Sequence, residues 1–211
     1  METPVGLGQE IAACRICVES PKGAILPHEP RPVVVLSSSA IIRIIGQAPG
    51  TRVHASGRPF TDPSGERLRQ WMGVDDATFY DSRKIAITPM GFCFPGLDAK
   101  GGDLPPRKEC AEHWHDRVDA LMPQIELVLL IGQYAQHHYL KEKKSKTLTE
   151  TVKNWREIMA SGEGNAGKGP VIIPLPHPSW RNNGWIRKNP WFTEELLPEL
   201  QTRIEKLLKA G

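Results

Sequence analysis

Two short loops carry the polar residues that chemistry needs. Gly46-Gln47-Ala48-Pro49-Gly50 follows Ile41, Ile42, Ile44 and Ile45, and His177-Pro178-Ser179-Trp180-Arg181-Asn182 follows Val171, Ile172, Ile173 and Leu175. Short β-branched runs ended by Gly or Pro read as buried strands of an α/β sheet. Ligand sites in such sheets lie in the crevice beyond the carboxyl ends of the strands. Two proline-stiffened loops far apart in sequence therefore predict one shared active site. A second reactive set is the four cysteines, Cys14-x-x-Cys17, Cys93 and Cys110. In a cytosolic protein a disulfide framework is disfavoured, and C-x-x-C with two further cysteines suits tetrahedral zinc or an iron–sulfur cluster. The same spacing also fits four unrelated thiols, some simply buried in the core.

The elements that must position these groups follow from periodicity. Residues 6–19 predict a short helix carrying Cys14 and Cys17, and 33–37 a short strand or a loop leading to the first clear strand, 41–46. The loop 47–64 precedes a helix near 65–73, where Leu68, Trp71 and Met72 at i, i+3, i+4 form an apolar face. A strand at 84–88 opens into a Pro/Gly loop, a helix spans about 107–122, and a strand at 128–131 ends at Gly132 before a helix through about 140. Residues 141–146 read as a solvated helix end or loop, 147–160 as helical, 161–170 as a glycine-rich turn and 171–175 as a strand. Thr193 is expected to cap a closing amphipathic helix through Lys209, with Glu194 and Glu195 in its first turn. Strands alternating with helices give a three-layer α/β/α sandwich with a central, mostly parallel four-stranded sheet.

A chain of 211 residues with 39% apolar content predicts one domain, 1–211, with a full core. No apolar run approaches the roughly 18 residues of a membrane span. Without a basic-then-apolar leader the expected location is cytoplasmic, and the expected state is a monomer. The net charge of +3 permits nucleic-acid binding without arguing for it. The 19 prolines and 19 glycines cluster in 46–65, 89–106 and 162–190, as functional loops on a scaffold would.

The order of these features resembles the uracil-DNA glycosylase superfamily, most closely its iron–sulfur, thermophile-type branch. That branch opens with C-x-x-C and carries a strand ending in G-E-A-P-G. A loop closing with G-R-P-F follows, then a small-residue turn and a helix. Here Gly46-Gln47-Ala48-Pro49-Gly50, Gly57-Arg58-Pro59-Phe60 and Ser64-Gly65 stand at the same spacing. Cys93 and Cys110 hold the places of the third and fourth cysteines, with Leu104-Pro105-Pro106 before the helix; Leu129 to Ala135 resembles the L-G-x-x-A turn. His177-Pro178-Ser179 is similar to the second motif, and its continuation through Arg181-Asn182 and Gly184-Trp185 resembles the single-strand-selective branch. The likeness covers roughly residues 10–205.

The resemblance implies a monofunctional glycosylase that flips uracil out of single- or double-stranded DNA and leaves an abasic site. Phe60 would stack on the base, His177 would stabilise the departing anion, and Gly46, Ala48, Thr88, Ser179 and Asn182 would line the base pocket. Trp180 and Arg181 fall where an intercalating loop enters the duplex; His54 and Arg58 would also meet DNA. Arg52, Arg187 and Lys188 are further candidates for phosphate. The four cysteines would hold a structural [4Fe–4S] cluster, with zinc or no metal as alternatives. No Lys sits in a motif as a Schiff-base nucleophile would, and no basic His-containing insertion precedes Cys93, so hydrolysis is favoured over covalent capture.

Two departures qualify the likeness. Gln47 replaces a carboxylate; it can hold a water but cannot take its proton. Asp62 is the nearest substitute carboxylate, or else a turn-forming Asp before Pro63. Pro89 replaces an Asn that reads the uracil edge, leaving Thr88, or backbone groups of 89–92, or an altered preference for hypoxanthine or xanthine. A damage-binding module without turnover is the competing class. A zinc-stabilised nucleotide-binding domain is a third, weakened by the lack of a phosphate-cradling glycine pattern.

Overall fold

The computed structural model describes residues 2–163 and 169–210. Four strands, β1 (Ile42–Ile45), β2 (Ile85–Ile87), β3 (Leu127–Ile131) and β4 (Val171–Leu175), form a sheet in the order β2-β1-β3-β4 with every pair parallel. Parallel strands covered on both faces are near-continuously apolar, and β1, β2 and β3 are buried throughout. The register runs Ile42 opposite Ile85 and Leu127, and Leu127 opposite Val171. Because the chain passes from one side of β1 to the other between β2 and β3, the crevice at the carboxyl ends opens beside β1.

The helices are α1 (Pro4–Ala12), α2 (Ile16–Glu19), α3 (Thr51–Ser56), α4 (Pro63–Met72), α5 (Asp76–Phe79), α6 (Lys108–Leu121), α7 (Gly132–Leu140), α8 (Leu148–Lys153), α9 (Trp155–Glu163), α10 (Asn183–Lys188) and α11 (Leu197–Ala210). Alternation along the strands divides the core. Ile42, Ile44, Leu127 and Leu129 pack with Leu68, Trp71 and Met72 of α4 and Leu197, Leu200 and Ile204 of α11. Ile45, Val128 and Leu130 face the other way, onto Leu7 and Ile11 of α1 and Trp114 and Val118 of α6. The three layers expected from the sequence are present.

Several expectations change in detail. The helix expected over 6–19 breaks after Ala12, so Cys14 lies in the link to α2. Residues 33–37 supply only one antiparallel bridge, Val35 to Ile87, along the outer edge of β2. The loop 47–64 contains α3, and α5 follows α4; neither short helix has a long apolar periodicity to announce it. Thr193 does not cap the closing helix. Helical backbone begins at residue 190, a widened turn spans Phe192–Leu196, and the Thr193 hydroxyl donates back to the Pro190 carbonyl at 3.0 Å. Residues 161–163 of the expected glycine-rich turn 161–170 instead continue α9, and 164–168 lie outside the described residues. Among the described residues no helix is long and apolar enough to cross a membrane.

Candidate functional site

All four strands deliver residues to one cleft of about 550 Å³ beyond their carboxyl ends. Gly46 to Val53 follow β1, Ile87 and Pro89 end β2, Ile131 ends β3, and His177 and Ser179 to Arg181 follow β4. Pairing continues past the strands: Met90 N–H donates to the Gly46 carbonyl at 2.9 Å and Gly91 N–H to that of Gln47 at 3.0 Å. Buried Gln136 donates its amide to the carbonyls of Leu130 at 3.2 Å and Leu175 at 2.9 Å, tying the ends of β3 and β4 together. The second loop is fixed from below, since Asn182 donates to the His177 carbonyl at 2.7 Å and Arg67 to that of Ser179 at 2.9 Å. The expected juxtaposition of the two loops is thus present.

Phe60 enters this cleft in a backbone conformation that a bulky residue rarely adopts, with φ of 54°. Its carbonyl is held by the Arg69 guanidinium at 3.3 Å, and the Tyr80 hydroxyl lies 3.0 and 3.1 Å from the carbonyls of Pro59 and Phe60. Gly65 permits the close approach of α4; a Cβ there would stand 1.9 Å from the Phe60 oxygen. The ring rests edge-on against Phe79 at 5.9 Å and lies over Gly46, whose Cβ would be 3.6 Å from Phe60 Cζ. Such strain costs about 1–3 kcal/mol and persists only where the surroundings over-determine it. The result is a fixed aromatic face at the mouth of a strand-end cleft.

His177 faces Asp62, Asp103 and Arg181 across the same space. Burial holds its pKa below the ordinary histidine value; Asp62 and Asp103 oppose that shift, and Arg181 adds to it. The imidazole is therefore neutral near pH 7 and offers one ring N–H as a donor. Asp62 precedes α4 but caps none of its N–H groups, so its carboxylate is not consumed by the turn role. Gln47 donates to the Leu104 carbonyl at 3.2 Å. Asp103, which sequence reasoning passed over, lines the cleft as well, from a hairpin closed by the Leu97–Asp103 bridge. The only local signal for it is Gly101-Gly102 before it and Pro105-Pro106 after Leu104, a turn and a stiff exit. The arrangement can stack a planar ring, donate to an oxygen on it, and hold water against a carboxylate.

The sequence profile of the Uracil DNA glycosylase superfamily matches residues 34–201. The chain belongs to that superfamily. Two solved structures are also similar to it. One is a candidate uracil DNA glycosylase from Methanosarcina acetivorans, 14% identical over 82% of this chain and 94% of its own, with a TM-score of 0.46. The other is wild-type SMUG2 of Pedobacter heparinus, 15% identical over 82% of this chain and 74% of its own, with a TM-score of 0.31. Membership in the uracil DNA glycosylase superfamily supports a DNA glycosylase, a hydrolase acting on DNA.

Within this superfamily member, other expected residues stand apart from the cleft lining. Thr88 is fully buried and its hydroxyl accepts from Arg43 Nε at 2.7 Å, so it does not reach a base. Arg43 is a charge in the middle of a buried strand, which needs partners; it also donates to Asp119 at 2.5 Å and to the Tyr139 hydroxyl at 3.1 Å. His115 joins this network at 2.7 Å from the Tyr139 hydroxyl and 3.1 Å from the Pro89 carbonyl. The N–H groups of Met90, Gly91 and Phe92 are all engaged, the last on the Cys110 sulfur at 3.2 Å, so they cannot read a base edge either. His54 packs in α3 against His28 at 4.3 Å and Phe94 at 5.8 Å, its Nδ1 buried without a partner among the described residues. Arg58 lies 3.5 Å over the Tyr80 ring and pairs with Asp76 at 3.8 Å. Arg52, Trp180 and Arg181 do reach the cleft, and Trp180 is 71% exposed.

The four cysteines share a second, smaller cavity with Ile16, Pro30, Pro32, Phe92 and Trp114. Burial pushes the Cys93 thiol up to about 12 and raises Cys110 further. Among the described residues no group of three or more His, Cys, Asp or Glu is placed to hold a single metal ion. Two observations nonetheless fit a four-thiolate group: the donor set is uniformly soft, and the Trp114 indole N–H in the cavity wall is buried without an acceptor among the described residues.

Proposed function

We propose that this protein is a monofunctional DNA glycosylase that removes uracil from single- or double-stranded DNA by hydrolysis, leaving an abasic site. The observation that carries the reading is the meeting of Phe60, His177 and Asp62 in one strand-end cleft. A flipped base stacks on Phe60, an interaction worth about 1–3 kcal/mol. The neutral His177 donates to the base oxygen on which charge develops as the C1′–N bond breaks. Trp180, exposed at the rim with Arg181 at 5.9 Å from its ring, occupies the space the base has left. Gln47 and Asp62 line the cleft through which the attacking water reaches C1′. A structural [4Fe–4S] cluster on Cys14, Cys17, Cys93 and Cys110 belongs to the same reading; the shared cavity and the Trp114 indole N–H, without an acceptor among the described residues, support it. Iron and sulfide analysis with electron paramagnetic resonance tests it.

A second reading concerns the base. Where relatives present an Asn, the wall here is Ile87 and Pro89 with every neighbouring N–H engaged, which favours weaker discrimination and admits hypoxanthine or xanthine. Labelled oligonucleotides carrying one uracil, hypoxanthine or xanthine, treated with the protein and then alkali, decide. Cleavage at uracil alone sustains the first reading, and cleavage at a deaminated purine moves the substrate. Binding without any cleavage would replace both with a damage-binding module.

A further inference from the structure

Loss of the motif-one carboxylate leaves the water unassigned, and the hairpin between Cys93 and Cys110 supplies a replacement. We propose that Asp103 is the catalytic carboxylate that holds and deprotonates the attacking water, the role having moved from the β1 loop to this hairpin. The inference rests on the glycosylase reading above.

Residues 96–104 turn back on themselves: Asp98 N–H donates to Gly102 O at 2.7 Å, Leu104 N–H to Gly96 O at 2.9 Å, and Asp98 Oδ1 accepts from the N–H groups of Lys100 and Gly102, each at 2.8 Å. The hairpin is therefore rigid at its tip, and Asp103 on its returning arm points into the cleft. Asp103 Oδ2 stands 3.5 Å from where a Cβ on Gly50 would be, which places the carboxylate against the β1 loop itself. Gln47 fastens the hairpin there through its amide on the Leu104 carbonyl. An amide can make that bond and a carboxylate cannot, which accounts physically for Gln at this position. Gln47 is thus a positioning residue.

Asp62 is the rival, and the surroundings separate the two. Of the two carboxylates Asp62 is the stronger influence on His177, the group that must stay neutral and donate toward the leaving base. Asp103 keeps contact with solvent at the cleft mouth, whence water enters. Burial raises its pKa above the ordinary carboxylate range, His177 and Arg181 oppose that, and Asp62 reinforces it; a raised pKa makes a better base near neutrality. In the step, water oxygen bonds to C1′, the C1′–N pair departs with the base, and Asp103 takes the water proton. Asp103 then releases that proton to solvent and the base anion takes one up, so in sum one water is divided between abasic site and free base.

The test is single-turnover excision of uracil by Asp103→Asn and Asp62→Asn, alongside binding of an uncleavable 2′-fluoro-deoxyuridine duplex. Asp103→Asn is expected to slow excision by about 100-fold or more, to bind the uncleavable duplex like wild type, and to regain part of the rate as Asp103→Glu. Wild-type excision rates in Asp103→Asn would overturn the assignment while leaving the glycosylase reading intact. Loss confined to Asp62→Asn would move the water to Asp62. A wild-type protein that cleaves no base sinks the parent reading and this inference together.

Discussion

The cleft beyond the strand ends is open, mixes polar with apolar surface and draws on residues 33 to 181, whereas the cysteine cavity is apolar apart from its thiols and draws only on residues 14 to 114. In the cleft the reactive side chains are aimed by bonds to backbone: Asn182 under His177, Arg69 and Tyr80 behind Phe60, Gln47 on Leu104. Around the cysteines packing dominates, with Cys110 among the buried neighbours of Trp114 and Val118, beside one bond from the Phe92 N–H to the Cys110 sulfur. The difference teaches a division of labour. Changes in the cleft should alter rate at constant stability, and changes in the cavity should alter stability at constant rate.

The largest effect is expected from Cys110→Ser. With a bound cluster it should remove the iron and lower unfolding free energy by more than about 4 kcal/mol, read by urea titration, while the fraction still folded excises normally. A small loss from a wild type that carries no iron would mean four ordinary thiols. Next, His177→Ala should cut excision by about 10² to 10³-fold, as loss of an oxyanion donor does, with thermal unfolding unmoved. Activity equal to wild type would end the assigned role.

His115, which meets the Pro89 carbonyl at the cleft and stacks at 5.5 Å on Phe92 of the cysteine cavity, gives a third test. Burial, reinforced by Arg43, lowers the His115 pKa to about 4. Above its unfolded value near 6.5 the ring is neutral in both states and adds no pH dependence. Below that value the unfolded chain takes the proton first, so stability falls until about pH 4, by roughly 3 kcal/mol in total. The lowered His177 acts in the same direction. Urea titrations of wild type and His115→Gln across this range should show the slope reduced but not removed; an unchanged slope would take His115 out of the account. Phe60→Ala should cost about 1–3 kcal/mol of base stacking in kcat/KM. The smallest stability effect belongs to Trp180→Ala, within about 0.5 kcal/mol because the ring is exposed, yet excision from duplex should slow more than from single strands. Equal slowing on both would place Trp180 outside the wedge role.

What the sequence determined lies within reach of local rules. Ile42 to Ile45 and Leu127 to Ile131 declare buried strands because both faces of a parallel sheet exclude water, and Leu68, Trp71 and Met72 declare the apolar side of α4. The strand ends then foretold that the Gly46 and His177 loops would meet. The tertiary structure alone decided which polar groups were free to act. Arg43 interrupts an isoleucine run, and its demand for partners takes Thr88 away from the base pocket and recruits Asp119 and Tyr139, 76 and 96 residues away. Asp103 gained its place only when a hairpin between two cysteines was pinned to Gln47, 57 residues before Leu104. Propensity and periodicity act over a few neighbouring residues. Satisfying a buried charge or closing a cleft depends on strand order, which brings distant side chains within hydrogen-bond reach.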